Sequence, residues 1–309
     1  MKRKVVVFGS YVQEFISRQK GLPVPGQTIN GSRFLLGYGG KGSNQAVAAH
    51  RAGADVTIIA KVGDDPFGRA CREFYEREGM DTSYVITDPV VETGSALIMV
   101  DEITAQNQIV VVSGACGNYR MEDVEFCRTL IENCDYLLLQ HEVNLDVQWK
   151  VVDLAWKAGV KIVLNPAPAK EVPEDVMRKL FCVTPNETET LALTGLEVTD
   201  QESASRAAKV LLDRGVQNVV ITMGDKGAFA TDGIREELLP RLDVEAVDTT
   251  GAGDAFNGGF ITALSEGADL FRALRYGNTT GALSVTGVGT AVAMPCRRDI
   301  DAMFQKHYG

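Results

Sequence analysis

Short runs dominated by apolar residues constrain this chain most: Tyr136–Leu139, Lys161–Leu164, Cys182–Thr184 and Asn218–Thr222. Between the first of them lie helix-length stretches. Met121–Asn133 reads as a helix, and Asp146–Ala158 puts Val147, Val151, Leu154 and Ala158 on one face. A strand that is apolar on both faces must be covered on both. Helical crossovers between such strands make them parallel neighbours. The expected fold class is therefore α/β, a doubly wound, mostly parallel sheet with helices on both faces. Lys4–Phe8 and Val56–Val62 add buried strands. Ala46–Ala52 reads as a helix that Gly53 ends at its C′ position, and Gly63–Gly68 opens another with Pro66 near its first turn.

Two regions have a different texture. Tyr11–Tyr38 is broken by Gly21, Pro23, Pro25, Gly26 and Gly31 and has no helical period. Gly94–Val100 and Gln108–Val112 read as a hairpin across the polar stretch 101–107. Together they make a small separate sheet. The chain is read as one α/β domain over 1–309, with a β-sheet lid inserted at about 11–38 and 94–113. There is no internal repeat, low-complexity segment or linker.

With 45% hydrophobic residues in 309, a sizeable core is expected. The net charge of −10 disfavours nucleic acid or an anionic membrane as the main partner. The apolar run before Gly9 is too short for a secretory signal or a membrane span. The six cysteines form no Cys-x-x-Cys pair and no metal-ligand spacing with the three histidines. A cytoplasmic protein with reduced thiols is expected.

In doubly wound sheets ligands sit beyond the carboxyl ends of strands. The polar and glycine-rich segments follow strands here: Gln140-His-Glu142, Asn165–Ala169, Thr184–Glu189 and Thr222–Gly227. Gly251, Ala252 and Gly253 precede Asp254 at the start of an apolar-faced helix, where free amides and the helix dipole favour an anion. A carboxylate placed there suits a base that holds the proton of a hydroxyl attacking a phosphoryl group, and it also suits a plain helix cap. Gly39-Gly-Lys-Gly-Ser-Asn44 sets Lys41 and Asn44 among glycines that allow close backbone approach, without the spacing of a Walker A loop. Glu142 ends an apolar strand, where an unpaired carboxylate suggests binding. Asn186 and Glu189 stand one helical turn apart, placed for Mg²⁺-bound water and phosphate or for capping.

Taken together, Gly39–Asn44, Asp248–Gly258, Asn165–Ala169 and Pro185–Glu189 resemble the ribokinase-like (PfkB) sugar kinases over essentially the full length, closest to the ribokinase branch. The resemblance implies an α/β kinase with a β-sheet lid that closes over the sugar, often a homodimer through that lid. It implies ATP, Mg²⁺ and an activating K⁺. Asp254 matches the catalytic base, and Gly251, Ala252 and Gly253 match the γ-phosphate anion hole. Gly40, Lys41, Gly42, Asn44 and Glu142 match sugar-contacting positions. Asn186 and Glu189 match the element that handles Mg²⁺ and phosphate, while Thr222, Gly224 and Gly227 fall where ATP is held and Asn278 falls near adenine. Asp248 and Thr250, with Ser284, Gly287 and Gly289, match the K⁺ ligands, and Ala293 stands where a serine is frequent.

One element departs from the pattern. The family's Asn-x-Asp, which reads vicinal hydroxyls, is here Val12-Gln-Glu14. Val12 cannot hydrogen-bond and Glu14 is one methylene longer, so a sugar other than ribose is expected as the best substrate. The expected activity is ATP-dependent phosphorylation of a primary hydroxyl of a pentose or related sugar. A nucleoside kinase of the same fold and a non-catalytic sugar sensor are the alternatives. A nicotinamide-dependent dehydrogenase fits poorly, because no Gly-x-Gly-x-x-Gly follows the first strand.

Overall fold

The computed structural model describes residues 3–104 and 106–309. Met1, Lys2 and Ala105, the last within the expected 101–107 turn, lie outside the described residues. In chain order the strands are β1 (Lys4–Phe8), β2 (Val12–Gln19), β3 (Arg33–Gly39), β4 (Asp55–Gly63), β5 (Val85–Asp88), β6 (Ser95–Asp101), β7 (Asn107–Val112), β8 (Tyr136–Gln140), β9 (Lys161–Asn165), β10 (Leu180–Val183), β11 (Asn218–Thr222), β12 (Ala228–Thr231) and β13 (Glu236–Leu239). The helices are α1 (Lys41–Arg51), α2 (Pro66–Glu78), α3 (Met121–Glu132), α4 (Leu145–Lys157), α5 (Glu174–Met177), α6 (Glu187–Thr194), α7 (Gln201–Asp213), α8 (Ala252–Ser265), α9 (Leu270–Ser284) and α10 (Arg297–Tyr308).

Among the described residues, nine strands form one sheet in the order β13-β12-β11-β10-β9-β8-β1-β4-β5. All neighbours are parallel except β11–β12 and β12–β13. The antiparallel end was not foreseen from the sequence. A tight turn at Gly224–Gly227 joins β11 to β12, too short for the crossover that a parallel pair requires. Side chains of the parallel strands point alternately into two cores. Val5, Val7, Ile58 and Leu138 meet α1, α2, α8 and α9 on one face, whereas Val6, Phe8, Leu137 and Leu139 meet α3, α4 and α7 on the other.

From β1 the chain steps to β4 on one side, and later returns to β8 on the other. The crevice between the carboxyl ends of β1 and β8 is therefore a topological switch point, where such sheets hold ligands. Gly9-Ser10 and His141-Glu142 emerge there.

The second sheet has the order β3-β2-β6-β7, formed by the two insertions expected to make one. The glycine-rich stretch before α1 differs from expectation. It is not a loop leading to Ala46, because the helix already starts at Lys41 with Gly40 as N-cap at φ 91°. Only glycine adopts that φ without strain. At Gly42 any Cβ would strike the Gly9–Ser10 backbone, so its absence lets the first turn of α1 lie against the end of β1.

Candidate active site

Gly251, at φ 79°, is the N-cap of α8 and swings the chain into the helix. The amide of Ala252 donates to Thr249 O at 3.2 Å, whereas those of Gly253 and Asp254 have no acceptor among the described residues. The end of α8 is thus open to an anion. Asp254, in the first turn, is 6% exposed. Its Oδ2 accepts from Asn44 Nδ2 and its Oδ1 from Gln45 Nε2, each at 2.9 Å. Amide donors on both oxygens fix the plane of the carboxylate.

Gln45 is a site residue that sequence reasoning missed. Its Nε2 also donates to Asn165 Oδ1 at 3.0 Å, and its Oε1 accepts from Gln140 Nε2 at 2.7 Å. Asn165 donates to Thr184 O, Thr184 Oγ1 to Asn257 Oδ1, and Asn257 Nδ2 to Gly253 O. This chain of amides ties the ends of β8, β9 and β10 to the first turn of α8. The available signal was the recurrence of Asn or Gln at or just after strand ends, which carries meaning only once the strands lie side by side.

Opposite Asp254, Glu142 Oε2 accepts from Lys41 N at 2.7 Å and Ser10 Oγ at 2.5 Å. Its carboxylate therefore holds the first amide of α1 and the Ser10 hydroxyl together. The Lys41 ammonium is raised above the usual lysine range by Asp254 first, against burial, with Glu142 and Glu189 adding to it. It lies within the field of three carboxylates.

Glu14, 6% exposed, lies across β3, and a Cβ on Gly37 or Gly39 would collide with its carboxyl group. Both of its oxygens lie near Thr290 Oγ1, at 3.1 and 3.2 Å, and the same hydroxyl is 2.9 Å from Tyr38 O. Burial pushes the Glu14 carboxyl up to about 7, against the pull of Thr290, and Asp254, Asp248 and Glu142 push it in the same direction. His141 is buried with Nδ1 on Pro168 O, and burial lowers it to about 4.

On the other side of the α8 terminus lies a cavity of about 520 Å³, whose lining includes Asn186, Thr222, Gly224, Gly227, Gly253 and Asn278. That size suits a small-molecule cofactor. Gly227, at φ 100°, closes the turn after β11, and Asn186 bridges to Thr222. Asn278 Nδ2 donates to Pro240 O at 3.0 Å, which fixes its amide at the cavity wall. Arg241 and Phe256 also line the cavity and were not anticipated.

Asn186 and Glu189 form a reciprocal capping box at α6, so the cap reading of their spacing holds locally. Glu189 is nevertheless buried and raised by that burial, and it lies within the field of Lys41 and Asp254. It borders the site without lining the cavity.

Asp248 Oδ1 accepts from Thr250 N at 3.0 Å and its Oδ2 from Gly289 N at 3.1 Å. Burial works to raise this carboxyl, but these bonds and the Arg18 guanidinium outweigh it and hold it below the usual range. Ser284, Gly287 and Gly289 thus come together with Asp248, as Gly287 N also donates to Ser284 O. Thr250 is brought in through Asp248.

An amide-held carboxylate, an anion-accepting helix terminus and an adjoining cofactor-sized cavity are the parts of a phosphoryl-transfer site, and comparison with known proteins agrees. The pattern of the pfkB family carbohydrate kinases matches residues 2–297. The chain is 39% identical over 299 residues to a ribokinase of Haemophilus influenzae, with 97% of each covered. It is 36% identical over 292 residues to a deoxyribokinase of Salmonella typhi, covering 94% of this chain and 95% of the other. The structure of Arabidopsis thaliana ribokinase complexed with ribose and ATP is similar at a TM-score of 0.92 and 27% identity, with 99% of each chain covered. With a match spanning nearly its whole length, the chain belongs to the pfkB family of carbohydrate kinases.

Proposed function

We propose that the protein is an ATP-dependent pentose kinase that phosphorylates a primary hydroxyl, with Asp254 as the base. The buried Asp254 carboxylate, held by Asn44 and Gln45 at the open end of α8 beside the cavity, carries this reading. The acceptor hydroxyl donates to Asp254, and the free amides of Gly253 and Asp254 receive the transferring phosphoryl group. A free carboxylate with a pKa of about 4 is a far weaker base than an alkoxide. Orientation therefore accounts for much of its contribution, and proton transfer comes late.

ATP occupies the cavity lined by Thr222, Gly224, Gly227 and Asn278. Lys41, set among acidic groups, balances charge on the transferred phosphoryl. Asn186 and Glu189 present carboxylate and amide oxygens at the border of the cavity, a hard-oxygen set suited to Mg²⁺ and its waters. Mg²⁺ supplies charge neutralisation on the phosphates. Asp248, Thr250, Ser284, Gly287 and Gly289 offer one carboxylate and several backbone oxygens, a set that suits K⁺. A cation there would steady the loop that leads into α8.

The β3-β2-β6-β7 sheet serves as a lid over the sugar. Its outer face exposes Phe34, Leu36, Leu97, Val110 and Val112, and a homodimer would cover this apolar patch. A cytoplasmic setting would supply the ATP and Mg²⁺ that this reaction uses. Among the described residues no helix is long and apolar enough to cross a membrane.

The aromatic side chains that a nucleoside kinase would use to stack a base are otherwise engaged. Tyr11 packs on Tyr75, Phe15 on Phe67 and Tyr38 on Phe74, while Phe34 points away from the face of Glu14. A sensor has no need of Asp254 with its two amide donors.

The test is ADP release from Mg-ATP with pentoses, comparing wild type and Asp254→Asn. Loss of the base should cut turnover about a thousandfold while the ATP dissociation constant stays within about twofold. Unchanged turnover would remove Asp254 from the mechanism.

A further inference from the structure

Alternation along β2 puts Val12, Glu14 and Ile16 on one face of the second sheet. This is the face of Asp254, because Glu14 lies in the field of Asp254, Asp248 and Glu142 and touches Thr290. Val12 is 6% exposed. On β3 its partner is Gly39, and its neighbour on the β6 side is Gly94, where an added Cβ would come within 3.0 Å of Val12 Cγ1. With glycine on either side, the isopropyl group is the side chain that forms this part of the wall, beside the Ser113 carbonyl, which the added Cβ would approach to 2.6 Å.

The next inward residue, Glu14, is turned onto Thr290. Beyond it, Ile16 is flanked by Leu35 and Ile98. Along β2 the wall therefore offers methyl groups and one carboxyl group already engaged with a hydroxyl of the protein. A sugar hydroxyl buried against Val12 finds no donor or acceptor in that side chain, and the neighbouring Ser113 carbonyl already accepts from Cys116 N at 3.2 Å. Such a loss disfavours that sugar about tenfold to a hundredfold, whereas a carbon-bound hydrogen meets the methyls without penalty.

We propose that the preferred acceptor is a deoxypentose, with the position that lacks a hydroxyl turned toward Val12, which is the specificity-determining residue. This rests on the pentose-kinase reading above. The experiment measures kcat/KM for 2-deoxy-D-ribose and D-ribose with the purified chain and Mg-ATP. Wild type should favour 2-deoxyribose by about tenfold or more. Val12→Thr keeps the shape and adds a hydroxyl, and should shift the ratio toward ribose by about tenfold, mainly through a lower ribose KM. Val12→Ala adds no hydrogen-bonding group and should retain the deoxypentose preference.

Equal efficiencies or a ribose preference in wild type would overturn the inference while leaving the pentose kinase standing. So would a ratio that Val12→Thr does not move. Transfer to neither pentose would overturn the pentose-kinase reading itself.

Discussion

Glu14 is held between its own lid strand and the Thr290 loop, in the field of three other carboxyl groups. Its ordinary value is 4.5, and burial first, then its acidic neighbours, push it up to about 7 in the folded chain. Between those values the folded state holds a proton that the unfolded chain has released. Stability is therefore greatest below the lower value and declines as pH rises through the upper one. The decline is on the order of 3 kcal/mol. Glu14→Gln keeps the shape and a donor for Thr290 without the titration. Melting curves from pH 5 to 8 should show the variant gaining on wild type as pH rises, and parallel curves would refute the protonated carboxyl. At this scale the sequence pointed to Asp254 but not to Gln45, whose importance comes from three partners, Gln140, Asn165 and Asp254, brought together from two strands and a helix.

The contact between α1 and α8 sets the distance from Asp254 to its two amide donors. At Gly258 an added Cβ would collide with Ala48 and would lie 2.8 Å from Ala49 N, with no flexible side chain to give way. Gly258→Ala should destabilise the fold by on the order of 2–3 kcal/mol. By moving α1 outward, it should also lower kcat. Denaturant unfolding read alongside ADP release checks both, and a variant with wild-type stability and turnover would show that this close approach is unnecessary. The glycine pair Gly258-Gly259 was legible as part of a motif, but its mechanical reason was not, since the opposing Ala48 lies two hundred residues away in the chain. The Asn186–Glu189 pair shows the reverse case. Its capping role was readable from spacing alone, because a capping box is local.

For the molecule as a whole, the proposed homodimer would cover the exposed outer face of the second sheet. Phe34 is 63% exposed, Leu36 58% and Val110 58%, all on the face of the lid opposite Glu14. Sedimentation should give a dimer at micromolar concentration. Leu36→Lys combined with Val110→Lys should yield monomers with a raised sugar KM, because an undocked lid closes less well. A wild-type monomer would overturn the dimer.

The sequence alone determined the layered fold and the second sheet, though not the antiparallel end of the main one. Apolar runs and helix-length connections are local patterns, and sheets twisted and wound in this way leave few alternatives. It also placed Asp254 in the first turn of a helix behind small residues, because that pattern is written in consecutive positions. Only the tertiary structure decided which groups surround that carboxylate and which residues of neighbouring strands share a face with Glu14. It alone turned Glu14 onto Thr290. Those outcomes depend on side chains meeting across strands and helices far apart in the chain, where burial and unpaired charge set their states and no spacing in the sequence records the encounter.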